Sequence, residues 1–254
     1  MGMIANGELG LSVRTAINNI ALGHIRGVYP VYTDTTHVAI QPGQVECNSN
    51  TYILTTAVAH EILNFSSGGF TYLYIDDSES TKGGTPTIID STTEPAWSDS
   101  KQGYYNGNDR CIGALYCDGA ATLSEFVVVA RGRSLRFSYD YRIQIASNMN
   151  PDSTWQTPDD MESSTKLPVS AISGCFQILG ADTNSSGAVY LTPYSLAKGV
   201  SFFAEAMQWT IGSSETFGCI DWVDLDSTRN VRIAGNNDDD NTLSCWIKGY
   251  EIRR

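Results

Sequence analysis

Apolar positions along the chain follow two periods. From Leu11 to Leu22 they recur as on a helix: Val13, Ile17, Ile20 and Ala21 share one stripe, with Arg14, Asn18 and Asn19 around the other side. Ser12 is placed to cap this helix and Gly23 or Gly27 to stop it. A helix of about three turns is marginal alone in water. It must pack on the domain that follows or on copies of itself, and the second option makes residues 1–27 an attachment and oligomerisation segment.

From Val28 onward the period shortens. Brief apolar runs separated by Gly, Asn, Asp, Ser and Thr predict strands over Val28 to Thr33, His37 to Ile40, Tyr52 to Ala59, Phe70 to Ile75, Thr87 to Asp90 and Cys111 to Cys117. Glu125 to Ala130 reads as a buried strand. Then comes the longest strict alternation, with Leu135, Phe137, Tyr139, Tyr141, Ile143 and Ile145 on one face and Arg136, Ser138, Asp140, Arg142 and Gln144 on the other. Ser147 to Pro168 is polar and reads as a long connection. Six further strands are predicted over Val169 to Leu179, Gly187 to Thr192, Val200 to Thr210, Phe217 to Leu225, Asn230 to Ala234 and Leu243 to Ile252. The expectation is a mostly β protein: a short N-terminal helix, then two β-sandwich or jelly-roll-like modules over residues 28–133 and 134–254.

Composition changes this picture in three ways. The 28 Asp and Glu against 16 Lys and Arg give a formal net charge of -12, and no basic stripe is present, so nucleic acid is not an expected partner. Arg131-Gly132-Arg133 reads as a solvated turn. No apolar run reaches the length of about 18 residues that spans a bilayer, and Met1-Gly2-Met3-Ile4-Ala5 does not resemble a secretory signal. The six cysteines, Cys47, Cys111, Cys117, Cys175, Cys219 and Cys245, lack zinc spacing and read as buried thiols, with bridging in an oxidising exterior as the alternative. The even separation of Cys111 and Cys117 predicts that they share a strand face.

The candidate chemistry is sparse. Tyr104, Tyr105, Asn106 and Asp109 bring paired aromatics beside a turn with amide and carboxylate groups, which suits stacking on a sugar and bonding its hydroxyls; packing at a sheet rim is the alternative. For catalysis, the acidic residues Asp76, Asp77, Glu79, Asp159, Asp160 and Asp238 to Asp240 all fall in turns, and no Gly-x-Ser-x-Gly is present. His24, His37 and His60 have no evident sequence partners, and His60-Glu61 lacks the second histidine of a zinc-protease helix. Asn236 to Asn241 offers oxygen ligands without the glycine and distal glutamate of a calcium loop. No catalytic residue, metal site or cofactor is therefore expected.

Three stretches resemble tailed-bacteriophage virion appendage proteins of the tail-fibre or head-fibre kind. Gly7-Glu8-Leu9-Gly10-Leu11-Ser12-Val13-Arg14-Thr15-Ala16-Ile17-Asn18 is similar to a short opening pattern of phage fibre proteins. Tyr72 to Asp118, with Ile75-Asp76-Asp77-Ser78, Pro95-Ala96-Trp97-Ser98 and Tyr105-Asn106-Gly107-Asn108-Asp109-Arg110-Cys111-Ile112-Gly113, resembles a module of phage structural proteins. Cys245-Trp246-Ile247-Lys248-Gly249-Tyr250 resembles the last strand of small β-sandwich domains in such proteins. The resemblance implies a virion protein assembled in a bacterial cytoplasm: a homotrimer fixed to other tail or capsid proteins by its N-terminal part, presenting β domains outward, with a host-surface glycan as a further partner. The chain lacks the repeats or β-helical shaft of long receptor-binding fibres. A capsid decoration or tail adaptor protein fits its size equally, and a polysaccharide depolymerase is the enzymatic alternative.

Overall fold

The computed structural model describes residues 23–81, 83–131, 134–149, 166–182, 187–193, 207–211, 216–225, 227–235 and 241–254. Among them every regular element is a strand and every strand pair is antiparallel. The predicted helix with Val13, Ile17, Ile20 and Ala21 lies outside the described residues, as does most of the polar connection over 147–168.

Six short strands open the described chain: β1 (Ile25–Gly27), β2 (Pro30–Tyr32), β3 (His37–Ile40), β4 (Gly43–Cys47), β5 (Asn50–Leu54) and β6 (Val58–Glu61). They form two three-stranded sheets, ordered β1-β4-β5 and β2-β3-β6. Ile25, Arg26 and Gly27, which the sequence reading puts in the opening segment, pair with Val45, Gln44 and Gly43. A five-stranded sheet follows from β7 (Phe70–Asp76), β8 (Thr87–Ser91), β9 (Ala96–Ser98), β10 (Gly103–Asn106) and β11 (Asp109–Tyr116), ordered β8-β7-β11-β10-β9. A second five-stranded sheet, ordered β12-β13-β19-β14-β17, combines β12 (Phe126–Arg131), β13 (Ser134–Met149), β14 (Ala171–Asp182), β17 (Thr216–Asp224) and β19 (Asn241–Arg253). The strands β15 (Gly187–Pro193), β16 (Met207–Ile211) and β18 (Val231–Gly235) make a last sheet of three.

The strand β7 explains how the layers stack. Its alternation puts Phe70, Tyr72 and Tyr74 on one face, yet Thr71, Leu73 and Ile75 on the other face are just as buried. The first face meets the second five-stranded sheet: the rings of Phe70 and Tyr250 cross edge to face with centroids 5.4 Å apart, and those of Tyr116 and Tyr139 are 6.2 Å apart. The opposite face is covered by the opening strands, since Arg110 of β11 bonds the Gly23 carbonyl and Pro30 of β2 lies against Gly113. Each large apolar side chain so enclosed contributes about 1.5–3 kcal/mol.

The tyrosines carry their hydroxyls into this core in a fixed order. Tyr250 donates to the Ala114 carbonyl at 2.8 Å, Tyr139 donates to the Tyr250 oxygen at 2.5 Å, and the Tyr116 amide donates to the Tyr139 oxygen at 3.1 Å. The chain of bonds crosses from one five-stranded sheet to the other. Burial pushes both phenols up from their ordinary value, so they stay neutral donors.

The 133/134 boundary falls between β12 and β13, which pair residue by residue from Phe126 with Tyr139 to Arg131 with Ser134. Buried side chains from both sides of it pack together, as Phe126 and Phe137 do at 5.5 Å. The long alternation in β13 is buried on its predicted face at Leu135, Phe137, Tyr139, Ile143 and Ile145. Three strand readings need correction. Glu125 to Ala130, expected to be buried, is exposed at Val127 and Val129. The strand expected over Tyr52 to Ala59 is divided between β5 and β6. Cys111 and Cys117 do not share a face: a bulge between Cys111 and Gly113 shifts the register, so Cys111 lies opposite Tyr74 while the Cys117 sulfur meets Thr71 on the other face. Cys47, Cys111, Cys117, Cys175 and Cys245 are buried and form no disulfide. Burial pushes the Cys111 thiol up to about 12 and that of Cys175 to about 11.

Candidate functional site

The predicted sugar-binding residues sit on the β10–β11 hairpin, whose register sends them in different directions. Tyr104 and Tyr105 are consecutive in β10 and face opposite sides. Tyr105 is buried, and its hydroxyl accepts from Arg110 Nη1 at 3.0 Å. Tyr104 is half-buried and lies directly across from Trp97 of β9, with their ring centroids 5.2 Å apart. The Arg253 guanidinium sits 4.5 Å from the Trp97 centroid. Asp109 accepts the Asp77 amide at 3.0 Å and Asn106 is half-buried opposite it. No paired tyrosine platform is formed. The aromatic group at this rim is Trp97 with Tyr104, and the sequence signal for it was the Pro95-Ala96-Trp97-Ser98 stretch just ahead of the tyrosines.

Behind Tyr105 lies a buried ionic node that sequence reasoning missed. Arg110 has no exposed surface. Its Nη2 donates to the Gly23 carbonyl at 3.1 Å, and the Glu46 carboxylate stands 4.0 Å from Nη1. Glu46 in turn accepts the Gly23 amide at 2.9 Å and the Ser49 amide at 2.5 Å. Gly103 makes room for the guanidinium, since a Cβ there would stand 2.3 Å from the Arg110 Cζ. Gly23 is held at φ +70°, with Gln102 where a side chain would go. Nearby, Arg254 donates to the carbonyls of Gly27 and Val28 at 2.7 and 3.0 Å. Glu46, Arg110 and Arg254 converge on residues 23–28, the point where the opening segment joins the body.

The acidic turns are mostly occupied in holding loops. Asp34 accepts from Thr36 and His37, and those bonds hold its carboxyl down at about 2. Asp77 accepts from Tyr52 at 2.7 Å and from Asn48 at 3.0 Å. Asp90 accepts from His60 Nε2 at 3.0 Å and from the Asn64 amide at 2.7 Å. Its burial pushes the carboxyl up, but the His60 and Asn64 bonds together outweigh this and hold it below its ordinary value. His37 and His60 therefore have carboxylate partners, Asp34 and Asp90, which the sequence reading did not find.

One open cleft of about 530 Å³ lies where β2, the 118–125 loop and β13 meet. Tyr32, Asp118, Ser124, Glu125, Asp140 and Arg142 are among its lining residues. Carboxylates outnumber the one guanidinium there, so the cleft favours cationic and hydrogen-bond-donating groups. Burial, Glu125 and Asp34 all push the Tyr32 phenol up, keeping it a neutral donor. Among the described residues no three His, Cys, Asp or Glu are grouped to hold a metal ion, and Asp238 to Asp240 lie outside the described residues. Comparison with models of known families and with curated proteins gives no match for this chain.

Proposed function

We propose that the chain is a structural component of a tailed-phage particle: a short tail or capsid fibre that self-associates through its opening segment and presents its β body outward, where a host-surface glycan is a candidate partner. The observation that carries this reading is the join at residues 23–28. Glu46 and Arg110 fix both the amide and the carbonyl of Gly23, and Arg254 fixes the next turn of chain, so the opening segment leaves a rigid body at a defined point. An attachment element needs such a mount to pass on the position of its anchor. The use of Asp34, Asp76, Asp90 and Asp118 as loop staples also suits a scaffold better than an enzyme, because those carboxylates are already committed to backbone amides. The two five-stranded sheets, joined through Phe70, Tyr116, Tyr139 and Tyr250, support a sandwich as the outward-facing unit.

The test is the native mass by light scattering of the full chain beside a form lacking residues 1–21, which removes Val13, Ile17, Ile20 and Ala21 yet keeps the Gly23 amide in place. A threefold drop in subunit number is expected. An unchanged subunit number refutes self-association through this segment.

A further inference from the structure

The strand Glu125 to Ala130, expected to be buried, forms an edge of its sheet. Among the described residues only β13 is laddered to β12; β2 packs against its first residue, where the Tyr32 and Phe126 rings lie 5.8 Å apart, and the rest of its other side has no described backbone partner. Its outward side chains are apolar: Val127 is 68% exposed and Val129 49%. Soluble proteins blunt such an edge with lysine, proline or a bulge, or they cover it. β12 has none of the first three, and its register with β13 is regular throughout.

We propose that β12 is a self-complementary interface, pairing antiparallel with the β12 of a second copy about a two-fold axis through Val128. The sequence Glu125-Phe126-Val127-Val128-Val129-Ala130-Arg131 is charge-complementary to its own reversal. Centred on Val128, the pairing sets Glu125 against Arg131 of the second copy at both ends, and Val127 against Val129 between them. The backbone supports this register. The Glu125 carbonyl accepts from Asp140 of β13, so alternation turns the amides and carbonyls of Phe126, Val128 and Ala130 to the free side. A two-fold axis at Val128 then places Val128 opposite itself and Phe126 opposite Ala130 as hydrogen-bonded pairs, giving about six bonds. The four exposed valines of the two copies meet on one face of a continuous ten-stranded sheet. The incoming Arg131 also arrives at the end of β12 where Asp118, Glu125 and Asp140 line the cleft and only Arg142 opposes them. An isologous contact of this kind closes on itself and does not grow into a filament.

Register-specific crosslinking of the full chain tests this. Val127 and Val129 of the two copies form non-hydrogen-bonded pairs with Cα atoms about 4.5 Å apart, within disulfide reach, whereas Val127 to Val127 is a diagonal of about 7–8 Å. Mixing the Val127→Cys and Val129→Cys proteins under mild oxidation is expected to give covalent dimers, while each protein alone gives few. Both substitutions are on exposed positions, and the five described natural cysteines are buried. In a second arm, Glu125→Arg or Arg131→Glu alone is expected to weaken the contact about tenfold, equivalent to ~1.4 kcal/mol, and the two together to restore it. Crosslinking of either single protein as readily as of the mixture, no crosslinking at all, or charge swaps without effect would overturn the proposal. Association through residues 1–21 does not set Val127 against Val129, so the crosslink pattern reads this interface independently of the opening segment.

Discussion

Replacing Tyr250 by Phe removes one oxygen from the middle of the bond chain that ties the two five-stranded sheets together. The ring stays, so packing against Phe70, Phe137 and Tyr139 is retained. Two things are lost: the bond to the Ala114 carbonyl, and the acceptor for the Tyr139 hydroxyl. The first is a net loss of about 1 kcal/mol, and the second strands a donor with no route to water at about 1–3 kcal/mol, so Tyr250→Phe is expected to destabilise by roughly 2–4 kcal/mol. Tyr139→Phe deprives the Tyr116 amide of its acceptor and leaves Tyr250 bonded to Ala114, for about 1–3 kcal/mol. The double variant has no Tyr139 hydroxyl left to strand. Its total loss should therefore fall short of the sum of the singles by about 1–3 kcal/mol, the cost of that stranded donor. Urea unfolding of the four proteins, followed by far-ultraviolet circular dichroism at constant slope, measures this coupling. Single losses that add within about 0.5 kcal/mol would refute the inferred donor order and the idea that the hydroxyls act as one unit.

Two further outcomes follow from the buried polar groups. Asp90 and Glu251 are both held below their ordinary values of 3.8 and 4.5, the latter by Ser134 and Arg136 against the upward push of burial. Their contribution is therefore complete above those values and is lost as pH falls through the lower folded ones. Between about pH 5 and pH 3 the urea midpoint should drop, and drop less in Asp90→Asn with Glu251→Gln; equal slopes would count against it. Gly103→Ala drives a methyl into a guanidinium that has no room to swing and should destabilise by roughly 2–4 kcal/mol, whereas the same alanine should cost little beyond the Arg110→Met loss when added to that variant. A change within about 0.5 kcal/mol in the single variant would show that Arg110 can move aside.

The strands that sequence revealed are those whose side chains alternate or run apolar, such as β7, β13 and β19. Missed were β1, β4, β9 and β10, where Gly, Gln, Ser and Asn interrupt the pattern because the strands are short and one face meets a turn or another backbone. The apolar run Phe126-Val127-Val128-Val129 reads as buried, and composition alone gives no sign that a strand with four apolar residues will stand at an edge. The same limit applied to Arg110. Nothing in its string Asn108-Asp109-Arg110-Cys111 marks a buried cation, and only the fold brings Gly23 and Glu46, distant in sequence, to its guanidinium. The tyrosine pair showed the reverse case, since Tyr104-Tyr105 is conspicuous in sequence while strand alternation separates the two rings.

The position of β19 sets a timetable for synthesis. It is the central strand of its sheet, lying between β13 and β14, yet ~90 residues separate it from the end of β13. At about 5–20 residues per second, a ribosome needs roughly 5–20 s to supply it after β13 has emerged. Through that interval the β12–β13 hairpin carries its apolar face without the strand that covers its flank, and Tyr139 has no Tyr250 to bond. The nascent chain must be shielded by a chaperone or by its own opening sheets until residues 241–253 arrive, and a stop codon within that stretch would leave both neighbours without their shared partner.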